Sequence, residues 1–185
     1  MKQGVIGIDV GTGSTRAGVF DLNGKLLGIG KHDILLHHGP GGIAEHESAD
    51  IRAAVCAATR IAISEADSIE IIGVGVDAAC SLVVEGQQLS EGGSPERDVI
   101  VWMDHRAVAE AEEINAGGYQ VLDFVGGRIS PEMQTPKLLW LSRNRPDAFL
   151  NAPRFMDLAD WLTFWMTGSD ARSSCTVTCL SLIHI

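Results

Sequence analysis

The sequence predicts an α/β fold, a mixed sheet with an antiparallel meander first and βα units after it, flanked by helices. Three observations carry this. Residues 4–35 hold three β-rich apolar runs, separated by a Gly-rich turn and by an Asn-Gly turn. From Ser48 onward, Ile51, Val55, Ala58 and Ala62 recur on one helical face. A second apolar run, residues 69–76, leads like the first into an aspartate.

The length of 185 residues fits one domain or slightly more. Lys and Arg number 14 against 24 Asp and Glu, a net charge of −10. A nucleic-acid or anionic-membrane partner would need a basic face to neutralise phosphates, so neither is expected. A hydrophobic share of 45% with 21% charged residues is that of a globular chain rather than a disordered one. No apolar run is long enough to cross a bilayer, and the N-terminal MKQGVIGIDVGTG, interrupted by Asp9, makes a poor signal peptide. The expected compartment is therefore the cytoplasm. Cys56, Cys80, Cys175 and Cys179 are too few for a disulfide scaffold and read as buried or half-buried free thiols.

Residues 4–10 form the first expected strand, with Asp9 at its end. Gly11-Thr12-Gly13-Ser14-Thr15-Arg16 turns into a second strand, 16–21; Leu22-Asn23-Gly24 turns again into a third, 25–35. The first turn is chemically informative. Glycines let backbone approach a ligand closely, and successive N–H groups form anion-binding nests. Thr12, Ser14 and Thr15 add hydroxyl donors, and Arg16 adds a fixed positive charge. Asp9 is placed to hold a divalent cation, directly or through water. These are the parts of a nucleotide-phosphate site, although an ordinary Gly-rich hairpin turn reads the same way in the glycines alone. The turn is not a Walker A loop, which ends in Gly-Lys-Ser/Thr. Nor is it a Rossmann fingerprint, since a strand follows it and not a helix.

After the Gly-rich loop 38–42 a helix is expected from near Ser48, which would cap it, with Asp50 at the positive end of its dipole. Residues 69–76 read as a second buried strand ending at Asp77, 82–84 and 98–102 as short strands, and 87–96 as a surface loop. Met103 to Arg106 then enters a helix with Ala107, Val108, Ala111 and Ile114 on its apolar face. Two loops at strand ends thus carry Asp77, Cys80 and Ser81, and Trp102, Asp104, His105 and Arg106. A polyol needs carboxylate acceptors and an apolar wall; Asp77, Asp104 and Trp102 supply both, while Trp102 reads equally as a core aromatic and Asp104 as a helix N-cap. Arg106 reads as an ion-pair or positioning residue, and a carboxylate is a better base for a sugar hydroxyl than His105. Glu132, in a Pro-flanked loop, is a further acceptor for hydroxyls or a solvated acid. Lys137 on the following helix reads as reaching solvent by default, with a carboxylate or a phosphate as the alternatives, and Trp161, Phe164 and Trp165 as core or an interdomain face.

Ile8 to Arg16 resembles the first phosphate motif of the sugar-kinase, Hsp70 and actin superfamily, and more narrowly that of the FGGY carbohydrate kinases. Val101 to Arg106 is similar to the family's W-x-D-x-R stretch, which lines the sugar pocket. Gly127 to Leu141 resembles the next segment, and Met156 to Phe164 with Thr167-Gly168-Ser169 the helix and turn beyond it. The resemblance implies a ribonuclease H-like, actin-like ATPase fold with ATP and Mg²⁺ as cofactors. It assigns Gly11, Thr12, Gly13, Ser14 and Arg16 to the ATP phosphates and Asp9 to Mg²⁺. It assigns Asp77, Cys80, Ser81, Trp102, Asp104 and Glu132 to the sugar.

Asp77 to Ser81 and Pro131 to Trp140 are most similar to the pentulose-kinase branch that phosphorylates ribulose. Kinases for xylulose or glycerol are the near alternatives. An actin- or Hsp70-like ATPase, or a sugar-binding module without kinase activity, is the distant one. The family's catalytic aspartate lies later in the chain, so no general base is assigned here. The resemblance thus implies an incomplete N-terminal kinase domain over residues 1–179, inactive alone, with an absent C-terminal domain as its partner and a homodimer as a further one. Residues 180–185 depart from the family pattern and read as a non-native tail.

Overall fold

A computed structural model describes residues 2–90 and 96–179. The chain runs β1 (Lys2–Val10), β2 (Ser14–Asp21), β3 (Leu26–Asp33), β4 (His37–His38), β5 (Ala44–His46), α1 (Ser48–Glu65), β6 (Ile69–Ala78), β7 (Leu82–Val84) and β8 (Val99–Ile100). It continues through α2 (Val108–Ala116), α3 (Gln134–Asn144), α4 (Pro146–Asn151), β9 (Phe155–Asp157), α5 (Leu158–Thr167) and α6 (Ser174–Cys179). It divides into two compact units, Met1–Leu36 with Glu47–Ala79, and His37–His46 with Cys80–Ile185.

The first unit is a four-stranded sheet in the order β3-β2-β1-β6. The first three strands form the antiparallel meander, and β6 returns parallel to β1 after α1. The Asn-Gly turn closes β2 onto β3: the Asp21 carboxylate accepts the N–H groups of Asn23 and Lys25 at 2.9 Å, and Gly24 sits at φ +82°. Alternation along β1 buries Ile6, Ile8 and Val10 and exposes Val5, Gly7 and Asp9. The buried side faces α1, whose Ile51, Ala54, Val55, Ala58 and Ala62 are all buried. Close approach of that helix requires glycine. A Cβ on Gly30 would lie 2.0 Å from the Ala58 carbonyl oxygen, and one on Gly28 2.2 Å from that of Ala62.

Two details of this unit differ from the sequence reading. Ser48 does not cap α1: it is the first helical residue and buried, and Glu47 is the cap; Asp50 lies in the first turn, as expected, and also accepts the Leu35 N–H at 2.8 Å. Strand β6 is not buried; Ile72 and Val74 are 52% and 57% exposed. Helix α1 packs mainly on β3 and β2 and touches β1 only at its margin, so β6 lies beyond its cover.

The second unit holds a five-stranded antiparallel sheet, β4-β5-β8-β7-β9. Leu82, Val84, Leu89, Ile100 and Leu141 form its core, with Trp140, Phe149 and Phe155 packed against them. A smaller cluster joins Ala111 of α2 to Leu122, Ile129 and Met133. The helix that Met103 to Arg106 is expected to enter, with Asp104 as a candidate N-cap, begins only at Val108 with Ala107 as its cap, so Asp104 is not an N-cap; Trp102 to Arg106 is irregular backbone. Asp157 caps α5 by accepting the Ala159 N–H at 3.0 Å, and Gly168 ends that helix at φ +72°. Trp161 is buried and stacks on Trp165, while Phe164 lies under the Arg154 guanidinium.

Cys56 is a half-buried free thiol, Cys80 is half-buried, and Cys175 is exposed rather than buried. The Cys179 side chain, part of the loop expected over 87–96, and the tail 180–185 lie outside the described residues. Among the described residues no helix is long and apolar enough to cross a membrane.

Candidate functional site

In the first unit, cross-strand register builds the chemistry. Arg16, Asp9 and Asp77 are direct neighbours on β2, β1 and β6, and Gly18, Gly7 and Gly75 form the next row on the same face. Three glycines side by side leave that row without side chains of its own, and the Phe20 ring, with Leu26, lies against Gly18. They floor an open groove of about 560 Å³ with the charged row at one end. Arg16 Nη1 donates to Asp9 Oδ2 at 3.1 Å, both side chains being half-exposed. Such an exposed pair contributes only ~0–1 kcal/mol, so an incoming phosphate can claim the guanidinium at little cost.

The turn joining β1 to β2 is pinned on both sides: Gly11 N–H donates to the Ser14 carbonyl, and the Gly13 carbonyl accepts from Ile34 N–H, each at 3.1 Å. Gly13 is exposed, and a Cβ there would meet nothing within 4 Å, so the outer face of the turn is open. Thr12 is half-exposed and Ser14 is buried. Thr15 cannot serve the turn as the sequence suggested. Alternation sends it to the α1 side of the sheet, fully buried, with its hydroxyl unpartnered among the described residues.

Asp9 and Asp77 are hard oxygen donors at the carboxyl ends of parallel strands. Among the described residues no group of three His, Cys, Asp or Glu side chains could hold a metal. Two carboxylates without a third fit a Mg²⁺ that keeps most of its water and phosphate ligands, not an all-protein cage.

The second unit holds a buried charge cluster. The Asp104 carboxylate is wholly buried and saturated: Oδ2 accepts Ala44 N–H and Arg106 Nη2, both at 2.7 Å, and Oδ1 accepts Arg106 N–H and Nε. Arg106 Nη2 also reaches Glu45 Oε1 at 2.8 Å, and the guanidinium lies 5.0 Å from the centre of the Trp140 ring. Burial opposes the charge on Arg106, but Asp104 and Glu45 outweigh it and hold the guanidinium above its ordinary pKa. The ion-pair reading of Arg106 therefore describes its geometry.

Around this cluster stand the other candidates. Ser81 Oγ is buried and accepts the Trp102 N–H at 3.3 Å. Cys80 and Trp102 are half-buried. The half-exposed Glu132 carboxylate lies 3.4 Å from His105 Nε2. Lys137, expected in solvent, is 0% exposed. Its ammonium donates to the carbonyls of Val101, Trp102 and Glu132, each at 2.9 Å. Burial pushes its pKa down to about 8, with Asp104 pulling upward, Arg106 downward and Glu132 upward. The helical phase held a signal for it, since Lys137 precedes the buried Leu141 by four residues. Glu45 left no signal: it sits on a three-residue strand, 61 residues from Arg106.

The profile of the FGGY family of carbohydrate kinases, N-terminal domain, matches residues 4–182. The chain belongs to this family. An FGGY carbohydrate kinase domain-containing protein of Homo sapiens is 42% identical over 180 residues, covering 94% of this chain and 33% of its own. A D-ribulokinase of Saccharomyces cerevisiae is 38% identical over 183 residues, 94% of this chain and 26% of its own. A gluconate kinase structure from Lactobacillus acidophilus superposes with a TM-score of 0.84 at 22% identity, covering 99% of this chain and 37% of that one. The FGGY domain thus has the actin-like ATPase fold, mixed α/β with helix-flanked sheets. It spans about a third or less of the length of these relatives.

Proposed function

We propose that the chain is the N-terminal domain of an ATP-dependent kinase that phosphorylates a hydroxyl of a pentulose, ribulose first. The observation that carries this reading is 38% identity, across 94% of the chain, to a protein named D-ribulokinase. ATP, when bound, supplies the transferable phosphoryl group, with Mg²⁺ neutralising its charge.

The residues divide the work. The exposed turn of Gly11, Thr12 and Gly13, with Ser14 behind it, receives phosphate oxygens, and Arg16 exchanges Asp9 for one of them. Asp9 is freed to hold the metal through water, beside Asp77. Within the second unit, Trp102 offers an apolar wall and Glu132 accepts hydroxyls; in the first, Asp77 is a hydroxyl acceptor at its strand end. Cys80, half-buried, is a further contact for the sugar. Ser81 and Asp104, whose polar atoms are already engaged, act by fixing Trp102 and Arg106. The general base and the closing domain come from protein outside these 185 residues, so the chain alone is inactive.

The test is a substrate panel on the full-length protein. ADP release is followed with D-ribulose, L-ribulose, D-xylulose, glycerol and no sugar. ADP release that depends on a ribulose supports the reading. Faster turnover with glycerol moves the assignment to another polyol, and sugar-independent hydrolysis sinks it.

A further inference from the structure

We propose that Lys137 is a positioning residue of the sugar site, clamping the segment of Trp102 to the segment of Glu132 so that wall and acceptor face the substrate in one geometry. The proposal rests on the sugar-site reading of those two residues.

Its basis is the stoichiometry of one buried ammonium. Lysine carries three N–H donors, and all three are spent on backbone carbonyls at 2.9 Å. Two of those carbonyls, of Val101 and Trp102, follow β8; the third, of Glu132, precedes α3. A single side chain therefore joins two stretches of irregular backbone 30 residues apart in sequence. Neither stretch is a strand or helix, so ladder hydrogen bonds do not fix their shape.

Burying a cation to serve only carbonyls is a poor way to gain stability, since apolar packing of similar volume is often as good or better. What the ammonium adds is a fixed direction for three oxygens at once. The groups facing it are Asp104 and Arg106 from the turn after β8 and Glu132 from the loop before α3; Arg106 is itself paired to Glu45 on β5. In that setting Lys137 titrates near 8. A neutral amine has two N–H groups for three carbonyls, so one tie is lost as pH rises through that value.

The test uses the full-length protein with D-ribulose and ATP. Lys137→Met keeps the stem and removes the donors. The expected result is a rise of about tenfold or more in ribulose KM, with ATP KM within about twofold, in keeping with loss of charge-assisted hydrogen bonds on one side only. Wild-type ribulose KM should rise between pH 7 and 9, and the variant should lose that rise. A folded Lys137→Met protein with wild-type ribulose KM overturns the proposal. If the variant does not fold, the wild-type profile decides, and a flat ribulose KM from pH 7 to 9 overturns it. A wild-type protein that turns over no sugar is a separate outcome: it sinks the kinase reading and this proposal with it.

Discussion

Arg106 grips Asp104 with two nitrogens, Nε at 2.8 Å from Oδ1 and Nη2 at 2.7 Å from Oδ2. This planar fork is buried, so neither partner can fall back on water. Asp104→Asn keeps the shape and removes the charge that Arg106 needs. Breaking a buried pair from one side costs about 3–5 kcal/mol, so the melting temperature should fall by many degrees. Because Arg106 and Trp102 share one turn, sugar affinity should fall more than ATP affinity. Calorimetry of the full-length variant checks both; equal sugar affinity in the two proteins would make Asp104 purely structural.

Asp9→Ala should act at the other end of the chemistry. On the proposed reading this carboxylate serves the metal and phosphate side, and metal-ion stabilisation is worth several kcal/mol in a transition state. Turnover should drop by about a hundredfold or more, with the dissociation constant for sugar within about twofold. Unchanged turnover would remove the metal-phosphate role of this strand end.

Gly30→Ala tests the packing that holds the first unit. Its Cβ would meet the Ala58 carbonyl oxygen at 2.0 Å, a backbone atom that, unlike the end of a side chain, cannot rotate out of the way. Either α1 lifts from β3 or the strand bends, at a cost of about 1–3 kcal/mol or more. Chemical denaturation should show a lower midpoint for the variant. An unchanged midpoint would mean that α1 does not seat on Gly30 in solution.

Lys137 also sets a pH dependence of stability opposite in direction to its effect on sugar affinity. Burial lowers its folded pKa to about 8, whereas the unfolded lysine titrates near its ordinary value of 10.5. Between these values the unfolded chain holds a proton that the folded chain has released. The unfolded state then binds more protons, so this residue's contribution to stability rises with pH across that window. Melting curves at pH 7.5 and 9.5 should show wild type gaining relative to Lys137→Met. A constant difference would show that Lys137 is not depressed.

What was legible in the sequence follows from how local each signal is. The turn from Asp9 to Arg16 and the Asn-Gly hairpin rest on residues adjacent in the chain, and both strands around them are where the apolar runs placed them. Strand β6 was located but taken as buried, because Ile-Glu-Ile-Ile-Gly-Val-Gly-Val has the apolar content of a central strand and nothing in it states which neighbours cover it. The helix after Trp102 was placed too early, since a tertiary bond from Ala44 N–H to Asp104, 60 residues away, holds that backbone out of helix. Glu45 has no local signal, because a buried charge is intelligible only through partners that folding delivers; Lys137 is named by the sequence but sent to solvent, although its spacing from Leu141 points inward.

Sugar-dependent phosphoryl transfer is tested most directly by ADP release from the full-length protein with and without D-ribulose, paired with detection of the sugar phosphate. One ADP and one sugar phosphate are expected for each ribulose consumed, and negligible ADP without sugar. ATP hydrolysis at the same rate with and without sugar, and no phosphorylated product from any sugar in the panel, would contradict the kinase reading.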